Sequence, residues 1–135
     1  MSSHFVTLNG VKQSGVLSPV LFCIYYDGLL WKLASAGYGC AGYVGRMFAG
    51  ALAYADDVVL LAPSASTMRR MLLLCDEYAN EYSVKFNASK SKCLVIQPRS
   101  SHLLTTDIRF QIGGNSIEIV AQWPHLGHIT PHTVV

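Results

Sequence analysis

Charge is scarce in this sequence. Eight acidic and ten basic side chains stand among 135 residues, so charged residues make up 13% and the formal net charge is only +2. A balance that small does not by itself mark a nucleic-acid surface. Paired cysteines are also missing: Cys23, Cys40, Cys75 and Cys93 are scattered, with no C-x-x-C spacing. That spacing argues against a zinc or disulfide framework and reads as four reduced core thiols of an intracellular protein, nuclear or cytoplasmic. No basic-flanked apolar leader follows Met1. No apolar run makes a convincing membrane span, because Asp27 interrupts the longest candidate, and no membrane partner is expected. His125, His128 and His132 lack a cysteine pair, and Gly127 and Pro131 break any helix between them, so zinc is not expected there.

What the chain has is apolar surface. Apolar residues reach 51% and the mean hydropathy is +0.33. The length allows one domain with a modest core, and the excess suggests faces meant to be covered by further protein. The chain is organised around residues 51–62, Ala-Leu-Ala-Tyr-Ala-Asp-Asp-Val-Val-Leu-Leu-Ala. Two short apolar runs read as buried strands, and Asp56 and Asp57 between them read as the tip of a β-hairpin. That puts two carboxylates side by side on a rigid scaffold, with no basic residue close in sequence. Such a pair repels unless a cation compensates. A hard divalent ion such as Mg²⁺ suits carboxylate oxygens and usually shares its coordination shell with substrate phosphates. An Asp-Asp turn is also a common solvated turn, and the dipeptide alone favours that plainer reading.

In chain order, Phe5-Val6-Thr7-Leu8 is a short strand candidate. Ser18 suits an N-cap and Pro19 a first helical position, which predicts a helix over 19–34 that stops before Gly37. It is apolar nearly all round and so is expected to be buried on most sides. Gly37-Tyr38-Gly39-Cys40-Ala41-Gly42 spells G-x-G-x-x-G, but it follows a helix and leads to a strand over 46–54, the reverse of a dinucleotide fingerprint. It reads as a Gly-rich connector. After the hairpin, Pro63-Ser64-Ala65-Ser66 breaks the sheet and caps a second helix. Met68, Met71, Leu72, Cys75, Ala79 and Tyr82 form its core face at helical spacing. A strand over 84–87, a polar turn bearing Lys90 and Lys92, and a strand over 93–96 follow. Residues 97–107 read as a loop, and Gly113-Gly114-Asn115 joins two alternating runs as a hairpin.

Four motifs in this order resemble the reverse transcriptases. Tyr54-Ala55-Asp56-Asp57 is similar to their Tyr-x-Asp-Asp motif, and Ala55 with the following Val-Val-Leu-Leu-Ala resembles the non-LTR retrotransposon branch. The run from Gly10 to Pro19 resembles Gly-Val-Lys/Arg-Gln-Gly-x-x-Leu-Ser-Pro, with Ser14 standing where the family usually has Gly. The resemblance implies that a side chain there would crowd the nucleotide or demand a backbone angle that Ser tolerates poorly. Phe86-Asn87-x-x-Lys90-x-Lys92 before an apolar strand resembles a third motif, and Trp123-x-x-Leu126-Gly127 resembles the primer grip.

The resemblance implies an α+β fold, an incomplete polymerase palm with helices packed on one face of an antiparallel sheet. It implies a partial palm over 1–98, and over 99–135 a hairpin with the start of the primer-grip and thumb connection. Two-metal nucleotidyl transfer would follow in the complete enzyme, with two Mg²⁺ ions on Asp56 and Asp57. Gln13, Ser14, Gly15 and Tyr54 would meet nucleotide and template, and Trp123, Leu126 and Gly127 would grip the primer. Lys90, with Lys92 as the alternative, would assist the departing pyrophosphate. The implied partners are an RNA template, a DNA primer, deoxynucleoside triphosphates and the fingers and thumb segments. A further Asp-bearing strand is expected upstream of Gly10, so the chain alone is expected to be inactive. The alternative is a non-catalytic remnant that binds RNA or protein.

Overall fold

The computed structural model describes residues 16–39, 48–54, 56–96, 108–125 and 128–131. The chain divides into two compact units, residues 1–83 and 84–135. The strand expected over 5–8 lies outside the described residues, as does the loop over 97–107.

The first unit holds two helices and one hairpin. Helix α1 runs Ser18–Ala36 and helix α2 runs Ala65–Tyr82, with strands β1 (Ala51–Tyr54) and β2 (Asp57–Leu60) between them. Helix α1 starts one position earlier than its sequence suggests. Leu17, not Ser18, takes the N-cap place, in a helical conformation with no side-chain cap, and Pro19 sits in the first turn where its missing N–H costs nothing. Gly37 ends the helix at φ 67°, a left-handed angle that glycine adopts freely, and its N–H donates to the Ala34 carbonyl.

Helix α1 is not buried on most sides. Tyr26, Leu29 and Leu33 face the core, at spacings of three and four residues, while Leu21, Ile24 and Trp31 are 53%, 67% and 73% exposed. In α2 the Ser64 side chain accepts from the Thr67 N–H at 3.2 Å, the cap its sequence announces. Met71, Leu72, Cys75 and Tyr78 are its buried residues, while Tyr82 is 42% exposed. The expected stripe is therefore rotated, with Tyr78 in place of Tyr82.

The two helices are tied by tyrosines. The Tyr78 hydroxyl donates to the Tyr25 carbonyl, and the Tyr25 hydroxyl donates to the Tyr82 carbonyl at the end of α2. Tyr78 and Tyr82 stack with centroids 4.4 Å apart. Gly28 makes room for this: a Cβ there would lie 3.2 Å from the Tyr78 oxygen. The Gly-rich connector also has a packing use, since a Cβ on Gly39 would meet the Gly50 backbone at 2.8 Å. Of the four cysteines, Cys75 is buried, Cys93 is half-buried and Cys23 is exposed. Cys23 is thus no core residue, because it lies on the open side of α1. Cys40 lies outside the described residues.

The second unit is built of strands. Strands β3 (Lys92–Leu94), β4 (Phe110–Ile112) and β5 (Asn115–Val120) form one sheet in the order β3-β5-β4. The β4–β5 pair is antiparallel, as the sequence suggests, and Gly113 and Gly114 both take positive φ in the two-residue turn. The β3–β5 pair is parallel, with Lys92 opposite Glu118. The sheet is therefore mixed, because the chain passes through β4 before returning beside β3. No strand forms over 84–87. That segment leads into a turn in which the Asn87 carbonyl accepts from the N–H groups of Lys90 and Ser91, at 3.1 and 3.0 Å. Strands β6 (Gln122–His125) and β7 (His128–Pro131) make a second antiparallel hairpin where no strand was expected.

Candidate active site

In the first unit the register sets the site. Tyr54 pairs with Asp57 across the β1–β2 ladder, and Asp56 lies in the turn just before β2. Residues directly opposite in an antiparallel ladder project to the same face. Tyr54 and Asp57 therefore share a face with Leu52 and Val59, and Asp56 stands at the tip. Both carboxylates are exposed, and Tyr54 is 65% exposed. Among the described residues neither aspartate makes an ion pair. The tip is an anionic point with its oxygens open to solvent.

One neighbour of this point escapes the sequence. Tyr26 of α1 is 7% exposed. Burial pushes its phenol above the ordinary value, and the Asp56 carboxylate pushes it further in the same direction. A neutral phenol is thus held within electrostatic reach of Asp56. No local pattern marks Tyr26 among the many apolar and aromatic residues of α1, and it comes under the influence of Asp56 through the packing of α1 against β1.

The second unit separates the two lysines. The Lys92 ammonium pairs with the Glu118 carboxylate, its partner across the β3–β5 ladder, and lies 5.9 Å from the centre of the Trp123 ring. Lys92 is committed at both contacts. Lys90 is exposed, and its ammonium makes no ion pair among the described residues. Its backbone N–H is held by Asn87, so the turn is fixed while the side chain is not. Gln13, Ser14, Gly15, Leu126 and Gly127 lie outside the described residues.

Oxygen ligands are the limiting element. Among the described residues no three His, Cys, Asp or Glu side chains gather closely enough to hold a metal ion. Asp56 and Asp57 supply two carboxylates, which suits Mg²⁺, an ion usually bound through one or two carboxylates with substrate phosphates completing the shell.

The family profile described as reverse transcriptase (RNA-dependent DNA polymerase) matches residues 1–127, and the chain belongs to that family. It is similar to the retrovirus-related Pol polyprotein from the type-2 retrotransposable element R2DM of Drosophila melanogaster, 30% identical over 137 aligned positions that cover 93% of this chain and 12% of that protein. It is also similar to the Pol polyprotein from the type-1 retrotransposable element R2 of Nasonia vitripennis, 29% identical over 87% of this chain and 12% of that protein. The corresponding R2 polyprotein of Popillia japonica is 31% identical over 73% of this chain and 15% of that protein. These relatives place the chain on the non-LTR retrotransposon branch, and its α+β architecture is that of a partial palm. The chain spans between 12% and 15% of the length of these relatives. No solved structure matches it significantly. No helix among the described residues is long and apolar enough to cross a membrane.

Proposed function

We propose that this chain supplies the metal-binding hairpin of an RNA-directed DNA polymerase that copies a retrotransposon transcript inside the cell. The observation that carries this reading is the Tyr54–Asp57 pair, which leaves both carboxylates exposed and without an ion pair among the described residues. Asp56 is the principal ligand and Asp57 assists it. When bound, two Mg²⁺ ions would activate the primer hydroxyl and neutralise charge on the triphosphate. Tyr54 offers an exposed ring on the face of Asp57, on which the primer end can rest. Tyr26, within electrostatic reach of Asp56 and kept neutral by burial, adds no charge that would compete for the metal.

Lys90 fits the role of the lysine near the leaving pyrophosphate better than Lys92, whose ammonium is already paired. Trp123 would serve the primer, with Leu126 and Gly127 beside it, and Gln13, Ser14 and Gly15 would meet the nascent pair. RNA template, DNA primer and nucleotide are partners of the whole polymerase, together with its fingers and thumb. Among the described residues the tip offers two carboxylates, and on this reading further oxygen ligands come from other segments of the polymerase and from substrate phosphates.

Mn²⁺ can report the site without turnover. Titrated into isotope-labelled protein, it should broaden the amide signals of residues 54–58 first, and Asp56→Asn should raise the concentration needed by about tenfold, the loss of one charged ligand. Broadening that begins at Asp27 or Glu118 and ignores Asp56→Asn would contradict the assignment.

A further inference from the structure

Helix α1 turns four large apolar side chains towards water. Val20, Leu21, Ile24 and Trp31 are 56%, 53%, 67% and 73% exposed. At about 3.6 residues per turn they fall within about 100° of the helix circumference, on the side away from Tyr26, Leu29 and Leu33. Together they expose on the order of 500 Å² of apolar surface, as much as the largest patch of an ordinary monomer. Cys23, Gly28 and Ser35 are exposed beside them and bring the face to roughly 600 Å² per copy, the size at which specific two-partner interfaces begin.

Little charge opposes covering this face. The charged residues of α1 are Asp27 and Lys32. The Lys32 ammonium is engaged by Glu77 and Glu81 of α2, at 3.6 and 3.7 Å. Asp27 is exposed at one edge of the stripe, where its carboxylate can stay in water.

The face is suited to itself. In a two-fold contact the same patch serves on both sides, and a stripe that is apolar along its length meets its own copy without burying an unpaired charge. A two-fold axis level with residues 25–26 lays the two helices antiparallel, so that their dipoles offset. Trp31 of one copy then lies over Val20 and Leu21 of the other, the largest side chain against smaller ones, and the two Ile24 side chains flank the axis.

We propose that α1 pairs with α1 of a second copy, giving an antiparallel two-fold dimer held by Val20, Leu21, Ile24 and Trp31. The inference rests on the surface of α1 and not on the polymerase reading, which concerns Asp56 and Asp57. An interface at the small end of specific contacts gives a weak dimer, with a Kd on the order of 10 µM. Below that concentration the chain is a single copy and the stripe meets water.

Sedimentation equilibrium of the full 135-residue chain, at concentrations on both sides of that Kd, tests this. The mass should rise from one copy to two and no further. Ile24→Lys places a charge in the contact from both copies and should raise the Kd by about tenfold or more. Trp31→Ala should raise it by about fivefold. Leu73→Lys, at a 61% exposed residue of α2, should leave it unchanged. Ile24, Trp31 and Leu73 are all exposed, so these substitutions leave the fold intact, which circular dichroism checks. A single-copy mass throughout would overturn the proposal and leave the stripe to other segments of the polymerase. A mass that climbs past two copies would overturn it as well, as would an equal effect of Leu73→Lys, because general stickiness would then account for the association. Asp56→Asn should leave the dimer unchanged, so failure here and failure of the metal assignment are read separately.

Discussion

The two helices of the first unit are nearly equal in length, 19 residues in α1 and 18 in α2, yet they solve different problems. Helix α2 buries Met71, Leu72, Cys75 and Tyr78 and turns Arg69, Arg70, Glu77 and Glu81 outward. Its core face is buried within the unit, although Leu73 on another side is 61% exposed. Helix α1 buries Tyr26, Leu29 and Leu33 against the same core but leaves Val20, Leu21, Ile24 and Trp31 exposed on its other side. A contiguous exposed apolar stripe marks a contact surface. The chain spans 12% of the length of its Drosophila relative, which agrees with a helix shaped for more neighbours than the described residues provide. Periodicity shows which side of a helix is the core side only when the other side is polar. In α1 both sides are apolar, and the sequence does not say which one the unit uses.

The sharpest test of that contrast sets the two sides of α1 against each other. Leu29 is fully buried, and Leu29→Ala should cost about 2–5 kcal/mol through lost burial and the cavity it leaves. Ile24 is 67% exposed, and Ile24→Ala should change stability by no more than about 0.5 kcal/mol. Urea unfolding of the three proteins measures both. Similar losses at the two positions would mean that the open side of α1 is covered in solution.

The buried face of α2 should also respond to alkali. Burial, and to a lesser degree Asp76, pushes the Cys75 thiol from 9.0 up to about 12. A thiol raised in the folded state adds stability that is fully present below pH 9. That stability is lost as pH climbs towards 12, because the unfolded chain ionises first. Three pH units correspond to on the order of 4 kcal/mol over the whole window. Tyr26 and Tyr78, both raised by burial, act in the same direction. Urea midpoints taken from pH 8 to pH 11 should fall, and Cys75→Ala should flatten the fall. A parent and variant that decline in parallel would assign the whole effect to the tyrosines.

Much of this was readable because local chemistry and tertiary need agreed. The Asp-Asp hairpin lies between two apolar strands, Gly37 stops α1, and Gly113-Gly114 turns β4 into β5, each for a reason contained in a few adjacent residues. Other features depend on partners far away in the chain. Tyr26 reaches Asp56 only through packing. Lys92 is distinguished from Lys90 only by Glu118, which lies opposite in a parallel ladder. The segment 84–87 looks like a strand by composition but finds no ladder, and β6 and β7 pair where no strand was expected. Pro124 falls within β6 of a two-stranded hairpin, where a missing donor is tolerated.

The smallest effect tests how the two helices begin. Ser64 closes the first turn of α2, its oxygen accepting from the Thr67 N–H while the Ser64 carbonyl accepts from Met68. Ser64→Ala removes the side-chain acceptor and leaves an exposed N–H to water, at a cost of about 1 kcal/mol. Leu17 holds the same place in α1, with its carbonyl accepting from Leu21 and no side-chain bond. It is 68% exposed, so Leu17→Ala should cost no more than about 0.5 kcal/mol. If urea unfolding gave the two substitutions equal losses, α1 would be held at its first turn by contacts to Leu17 and not by the chain direction that Pro19 imposes. The open stripe would then begin after that turn.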